Sequence, residues 1–261
     1  MTTTQAIRGL VLDIDGVLHI GDKAVPGAAD TLRQLRARGI PFRFITNTST
    51  RSPEELQRTL VNLGLDVSAD EIFSAVAATC SYLEQAGSPR CHVLVADGVR
   101  ECFERFPQDN HEPDFVVIGD IGERWNYAML NDAFGMLMRG AKLVCMHRNR
   151  YWQTDSGLRM DIGAFVAGLE YVTGKQAIVI GKPSWDFFRL SVQSLGLRAG
   201  EVAIVGDDIE TDIGGGQAAG LRGILVRTGK YREELVLQSA VQPDHVIASI
   251  AQLPAFLASY G

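Results

Sequence analysis

The sequence predicts an α/β fold in which a parallel-sheet core is interrupted by a second, inserted α/β domain. Three observations predict it. Short apolar runs, each stopped by polar residues, alternate with amphipathic helical stretches, which is the pattern of a parallel sheet with helical crossovers. That alternation is strong at both ends of the chain and returns independently in its middle third. The 261 residues, 46% apolar and 21% charged, also suit a globular chain long enough for two packed units.

Residues 7–12, Ile-Arg-Gly-Leu-Val-Leu, form an apolar run stopped by Asp13, as in a strand buried on both faces. After a stretch punctuated by Gly16, Gly21 and Gly27, residues 28–38 carry Ala28, Leu32 and Leu35 with Arg33, Arg36 and Arg38 between them. This is an amphipathic helix ending at Gly39. The run 40–45 is the second strand. Ser52-Pro53-Glu54-Glu55 combines an N-cap, a first-turn proline and a capping-box glutamate, and starts a helix that stops near Gly64. In the middle third, strands are expected at 92–95, 115–118 and 142–145, with helices around 99–105, 126–139 and 161–172. Beyond it come a strand at 177–180, a helix at 184–195 and a strand at 202–205. A glycine cluster with another helix and a strand at 224–226 follow. The core is thus expected over 1–78 plus 178–261, and the inserted domain over 79–177.

Twenty-five Lys and Arg against 31 Asp and Glu give a net charge of −6, so nothing global favours nucleic acid or an anionic lipid surface. An anionic substrate would need a local positive partner. Cys80, Cys91, Cys102 and Cys145 are scattered without CxxC spacing, which excludes a zinc knuckle and a dithiol redox motif and suits reduced thiols. The start, Met1 to Ala6, lacks a basic and apolar leader, and nowhere do about 18 apolar residues run together. A cytoplasmic protein without membrane partners is the expectation.

In open α/β sheets ligands bind outside the carboxyl ends of the strands, so polar residues directly behind apolar runs are the candidates for chemistry. Four such places occur: Asp13-Ile14-Asp15-Gly16, Thr46-Asn47-Thr48-Ser49, Gly181-Lys182-Pro183-Ser184, and Gly206-Asp207-Asp208 with Asp212 close behind. An isolated Asp-x-Asp is also an ordinary turn with solvated carboxylates. Its chemical reading has one carboxylate attacking an electrophile while the second works as acid and base. Hydroxyls and an amide after a strand can cradle phosphate oxygens, but Ser, Thr and Asn are equally common in loops and caps. Lys182 before a helix start can hold an anion or simply be solvated. Asp207 and Asp208 repel each other unless a cation is near; with Asp13 and Asp15 they make an oxygen-rich set that suits Mg²⁺ better than zinc. Asp208 and Asp212 are expected behind the ligands, Asp212 holding Asp207 or Lys182 in place.

In this order the four motifs resemble the haloacid dehalogenase superfamily of aspartyl-phosphate hydrolases, with a Rossmann-like parallel-sheet core. The insert between the Thr46 and Lys182 motifs resembles a type IIA α/β cap. Within that branch, stretches 140–157, with Arg150-Tyr151-Trp152, and 223–231 are most similar to the group containing phospholysine phosphohistidine inorganic pyrophosphate phosphatase. The resemblance implies Asp13 as nucleophile and Asp15 as general acid, then base. It implies Mg²⁺ on the Asp13 carboxylate, the Asp15 main-chain carbonyl and the Asp207 carboxylate. Thr46 and Asn47 would hold the phosphoryl group, and Lys182 would neutralise it and restrain Asp13. Some relatives suggest a homodimer.

The expected function is a Mg²⁺-dependent phosphatase acting on a small phosphorylated substrate: a phosphomonoester, pyrophosphate or a phosphoamino compound. A phosphotransferase on the same scaffold and a catalytically silent metal- or phosphate-binding protein are the alternatives. Asp15 and Asp207 argue against a dehalogenase, and the insert argues against a signalling receiver domain. His147, Arg148, Asn149 and Arg150 form a dense cationic and amide cluster behind a strand of the insert. They are the candidate selector of the leaving group, with a solvated loop as the plain alternative.

Overall fold

The computed structural model describes residues 6–154 and 157–260. The start read at residues 1–5, and residues 155 and 156 of the stretch 140–157, lie outside them. The chain divides into two compact units, one of Met1–Thr46, Pro53–Phe73 and Lys182–Gly261, the other of Asn47–Ser52 and Ser74–Gly181.

The first unit is organised around the strand Gly9–Asp13, every residue of which is buried. Leu10, Val11 and Leu12 are wholly excluded from water, which the sheet achieves by being covered on both faces. The sheet has six strands in the order His245–Ile247, Arg222–Val226, Val202–Gly206, Gly9–Asp13, Phe42–Thr46, Ile72–Ser74. Gly9–Asp13 runs parallel to Phe42–Thr46 on one side and to Val202–Gly206 on the other. The chain therefore builds outward in one direction first and returns to build in the other. The strand order reverses between Gly9–Asp13 and Val202–Gly206, which is where such sheets open a crevice at their carboxyl ends.

The helix Ala28–Ala37 buries Ala28, Leu32 and Leu35 and turns its arginines outward. The helix Pro53–Asn62 buries Leu56 and Leu60 and is closed by Gly64, whose N–H reaches the Val61 carbonyl. Burying each of these leucines is worth about 1.5–3 kcal/mol. They join Phe42, Phe44, Val205, Ile224 and Val226 in one core.

The second unit has its own parallel sheet, in the order Ile178–Val179, Lys142–Cys145, Phe115–Ile118, Cys91–Leu94. The helices Tyr127–Met138 and Gly163–Thr173 contribute Ala133, Met136, Leu137, Val166 and Leu169 to its core. Trp125 stacks on Phe165, with ring centroids 4.5 Å apart. An antiparallel hairpin, Tyr151–Thr154 with Gly157–Met160, follows the third strand in sequence. Cys80, Cys91 and Cys145 are buried free thiols. Burial pushes them up to about 11, 11 and 12, so they stay protonated. No helix among the described residues is long and apolar enough to cross a membrane.

The expected strand at 177–180 differs in its partner. Only Ile178–Val179 is extended, and it pairs with Lys142–Cys145, so it closes the sheet of the second unit instead of adding to the core sheet. The helix expected over 99–105 is a single turn, Asp97–Arg100, running into a tight turn at Glu101–Phe103. Val99, Phe103 and Phe106 are all buried at helical spacing, but Pro107 follows directly, and a helix this short is marginal. Sequence patterning also passes over Ile72–Ser74, Ala75–Gln85, His19–Ile20 with Lys23–Ala24, and His245–Ile247. The four strand segments among these are two or three residues long, too short to show a period.

Candidate active site

The candidate site grows from the strand ends of the first unit. Leu12 is in register with Val205, so Asp13 ends its strand level with Gly206 and Asp207 follows one residue further along the neighbouring strand. Asp13, the last residue of its strand, is 4% exposed and Asp207 is 3% exposed. After Asp207 the chain makes a wide helical turn, Ile209–Gly214, which carries Asp212 back beneath the strand end. Asp212 Oδ2 accepts the backbone N–H groups of Asp207 at 3.2 Å and Asp208 at 3.1 Å. Asp208 instead caps this turn, its Oδ1 accepting from the N–H groups of Glu210 and Thr211.

Lys182 completes the cluster. Its Nζ donates to Asp13 Oδ1 at 2.6 Å and lies 2.7 Å from Asp212 Oδ1, with the side chain 5% exposed. Burial alone would strip this ammonium of its proton, but Asp13 and Asp212 together hold its pKa above the usual lysine range. Burial pushes the Asp13 carboxyl well up, and Asp212, Asp207 and Asp15 push the same way against Lys182. Burial, then Asp212, pushes Asp207 up to about 7. Ligand oxygens of Asp13, Asp207 and Asp212 all lie within 4.8 Å of one another. Counted as ionised, three carboxylates against one ammonium carry a formal charge of −2, and a divalent cation would hold Asp13 and Asp207 in that ionised form against the upward push of burial. The donors are all carboxylate oxygens, the chemistry of a hard cation. Asp212 already serves Lys182 and two N–H groups, which leaves Asp13 and Asp207 as the carboxylates suited to ligate.

Two glycines permit this crowding. A Cβ on Gly16 would stand 1.8 Å from Asp207 Oδ2, and one on Gly229 would stand 2.0 Å from the same atom. Both residues also have positive φ, +85° and +60°. The loop that brings Gly229 in follows the strand Arg222–Val226. Thr228 Oγ1 donates to the Gly16 carbonyl at 2.6 Å, and the Lys230 N–H donates to Asp207 Oδ2 at 2.7 Å. Lys230 Nζ lies 3.6 Å from Asp208 Oδ2. Against the pull of burial, Lys230 and the N–H bonds from Thr211 hold Asp208 below the ordinary carboxylate range.

Asp15 is exposed at the mouth of this cluster. Its Oδ2 accepts from Thr46 Oγ1 at 3.2 Å, so the ends of two neighbouring strands are tied through it. Its Oδ1 lies 3.4 Å from His19 Nε2.

Of the residues read from sequence, Asp13, Lys182, Asp207 and Asp212 are thus brought together, with Asp15 and Thr46 bonded beside them. Asn47 falls in the second unit, where its Nδ2 donates to Asn149 Oδ1 at 3.4 Å. The segment 147–150 is not one exposed cationic loop. His147 is 3% exposed; its Nδ1 accepts the Asn149 N–H at 3.4 Å, so Nε2 carries the ring proton toward Ser49 Oγ at 3.3 Å. Arg148 pairs with the buried Glu170 at 2.6 Å. Arg150 is exposed and leads into the hairpin.

Sequence patterning does not single out His19, and Thr228-Gly229-Lys230 enters it only within the stretch 223–231 that carries the resemblance, with no role at the site. The loop had a usable signal, since it stands directly behind an apolar strand as the four motifs do. His19 had none, because its neighbours are set by a hairpin of two-residue strands.

Two family models match the chain: "Haloacid dehalogenase-like hydrolase" over residues 10–106 and a HAD-hydrolase-like model over residues 179–253. The "Haloacid dehalogenase-like hydrolase domain-containing protein 2" of Bos taurus is 41% identical over 232 residues, 89% of this chain and 88% of that protein. The phospholysine phosphohistidine inorganic pyrophosphate phosphatase of Mus musculus is 37% identical over 260 residues, 97% of this chain and 95% of that protein. Among solved structures, the 4-nitrophenylphosphatase of Thermotoga maritima superposes with a TM-score of 0.89 at 28% identity, covering 95% of this chain and 97% of that one. With buried carboxylates at the strand ends and likeness along nearly its whole length to proteins named as phosphatases, the chain belongs to the haloacid dehalogenase-like hydrolases, in their type IIA branch.

Proposed function

We propose that the chain is a Mg²⁺-dependent phosphatase that hydrolyses a small phosphorylated substrate through an aspartyl-phosphate on Asp13. One observation carries the reading: a buried strand-end carboxylate, Asp13, held at 2.6 Å by Lys182 within an acidic cluster whose formal charge is −2.

In the first half-reaction an Asp13 oxygen bonds to phosphorus while the bond from phosphorus to the leaving oxygen breaks, and Asp15 gives that oxygen its proton. In the second, water attacks phosphorus, Asp15 takes the water's proton, and the Asp13–phosphorus bond breaks to release phosphate. Asp15 suits both tasks because it is exposed where Asp13 is not, so like groups have unlike environments. Lys182 restrains Asp13 and faces the incoming negative charge. Thr46 and Asn47 are assigned to hold the phosphoryl oxygens. The Asp13 and Asp207 carboxylates and the Asp15 carbonyl would hold Mg²⁺, which when bound would supply charge neutralisation for the phosphate.

The unit containing Ser74–Gly181 is assigned as the cap that chooses the leaving group, with Arg150 of the 147–150 segment as its candidate selector. The name of the mouse relative points to phosphoamino compounds and pyrophosphate as substrates to try first. The test is phosphate release from p-nitrophenyl phosphate, pyrophosphate, phosphoamino acids, and sugar and nucleotide monophosphates, with and without Mg²⁺. Release that requires Mg²⁺ and disappears in Asp13→Asn supports the reading. Release that persists in Asp13→Asn overturns it.

A further inference from the structure

The Asp15 carboxyl is gripped from both sides. Thr46 Oγ1 donates to Oδ2 at 3.2 Å, and His19 Nε2 lies 3.4 Å from Oδ1. The histidine is itself fixed. It is 8% exposed, and its Nδ1 stands 2.9 Å from the Gly21 carbonyl, an atom that can only accept, so Nδ1 is the donor; Nε2 then engages Asp15 Oδ1 as acceptor of the carboxyl proton, or as a second donor when the ring is an imidazolium. Its backbone is fixed as well: the Gly16 N–H donates to the His19 carbonyl at 2.8 Å, and the His19 N–H to the Ile14 carbonyl at 3.4 Å. His19 therefore packs against the loop that carries Asp15 through main chain and side chain together.

A buried histidine needs a partner for each ring nitrogen, and Asp15 is the partner that Nε2 meets. Asp15 gains in turn: an exposed carboxyl on a short side chain rotates freely about χ1 and χ2 unless something holds both oxygens. We infer that His19 is a positioning residue for the reaction, orienting the Asp15 carboxyl so that its proton is delivered to the leaving-group oxygen. The inference rests on the role assigned to Asp15 under the proposed function. In that step the Asp13–phosphorus bond forms, the bond from phosphorus to the leaving oxygen breaks, and the proton on Asp15 passes to that oxygen.

The demand for this proton depends on the leaving group. p-Nitrophenolate departs readily without it, whereas a phenolate or alkoxide departs poorly, so misplacing Asp15 must hurt the poorer leaving groups more. The experiment compares kcat/KM, which reports the steps up to leaving-group departure, for wild type, His19→Asn, His19→Gln and Asp15→Asn. The substrates are p-nitrophenyl phosphate, phenyl phosphate and a simple alkyl phosphate, all with saturating Mg²⁺. Asparagine keeps an amide where Nδ1 met Gly21 but cannot reach Asp15; glutamine places its terminal amide near the Nε2 position.

His19→Asn is expected to lose about ten- to a hundredfold on the alkyl ester and only a few fold on p-nitrophenyl phosphate, with His19→Gln recovering much of the loss. Equal losses on all three substrates would mean a merely structural residue and overturn the inference, as would no loss on any. If Asp15→Asn steepens the leaving-group dependence while His19→Asn does not, the inference fails alone. If Asp15→Asn leaves the dependence unchanged, the role of Asp15 fails and the inference with it.

Discussion

Lys182 Nζ lies 2.7 Å from Asp212 Oδ1, and the opposite oxygen of the same carboxylate takes two backbone N–H groups from the Asp207–Asp208 turn. Asp212 thus couples the lysine that restrains Asp13 to the peptide that aims Asp207. Asp212→Ala leaves Lys182 paired with Asp13 but takes the acceptor from the Asp207 and Asp208 N–H groups, and should cost about 1–3 kcal/mol in stability. Urea unfolding measures it. A loss no larger than that of an exposed carboxylate substitution would show that Lys182 and the turn hold their places unaided.

Asp207 gives the protein a pH dependence whose sign is fixed by its shift. Its folded value of about 7 lies above the ordinary 3.8, so the protonated form is favoured by folding. That contribution is full below the ordinary value and is lost as pH rises through about 7. In chelator, the melting temperature of wild type should fall relative to Asp207→Asn between about pH 5 and pH 8. Added Mg²⁺ should lift wild type and leave the variant unmoved. A gap that closes with rising pH in chelator contradicts the shift.

Gly16→Ala tests the crowding around Asp207. The new methyl carbon would meet Asp207 Oδ2 at 1.8 Å, on a residue with a φ of +85°. Mg²⁺ affinity, followed by calorimetry, should drop about 10–100-fold, as when the support of a metal ligand is removed. Unchanged affinity would mean that the carboxylate has somewhere else to go.

The segment 147–150 separates into two kinds of residue. His147→Ala removes a buried ring that Ser49 and Asn149 both engage, and should lower stability by about 1–3 kcal/mol. Arg150→Ala leaves stability within about 0.5 kcal/mol, as exposed positions do, and should reorder the substrate panel. An unchanged ranking for Arg150→Ala removes it as the selector.

How much of this was legible in the sequence depends on whether a residue's surroundings are local. Asp13 and Asp207 each close a fully buried apolar run, so strand, strand end and acid can all be read from adjacent positions. Lys182 was legible as a motif, yet the two-residue strand before it gave no sign of which sheet it joins, because partner choice is made by Lys142–Cys145 far away. His147 looked like a loop residue beside two arginines; its burial depends on Ser49, 98 positions earlier. His19 sits four residues from Asp15, but only the turn between them makes the two rows of atoms face each other.

The central strand Gly9–Asp13 pairs on one side with a strand made early and on the other with Val202–Gly206, made near the end. Lys182 meets Asp13 across 169 positions of chain. On a ribosome, the strands from Cys91 to Val179 are all present before that lysine appears, so the second unit is free to fold while Asp13 still waits for its counter-charge. The pairings that shape the acidic cluster are thus of high sequence separation, the kind of contact whose loop-closure cost comes before its reward. Until they close, the nascent chain carries the Asp13 carboxylate without Lys182 beside it.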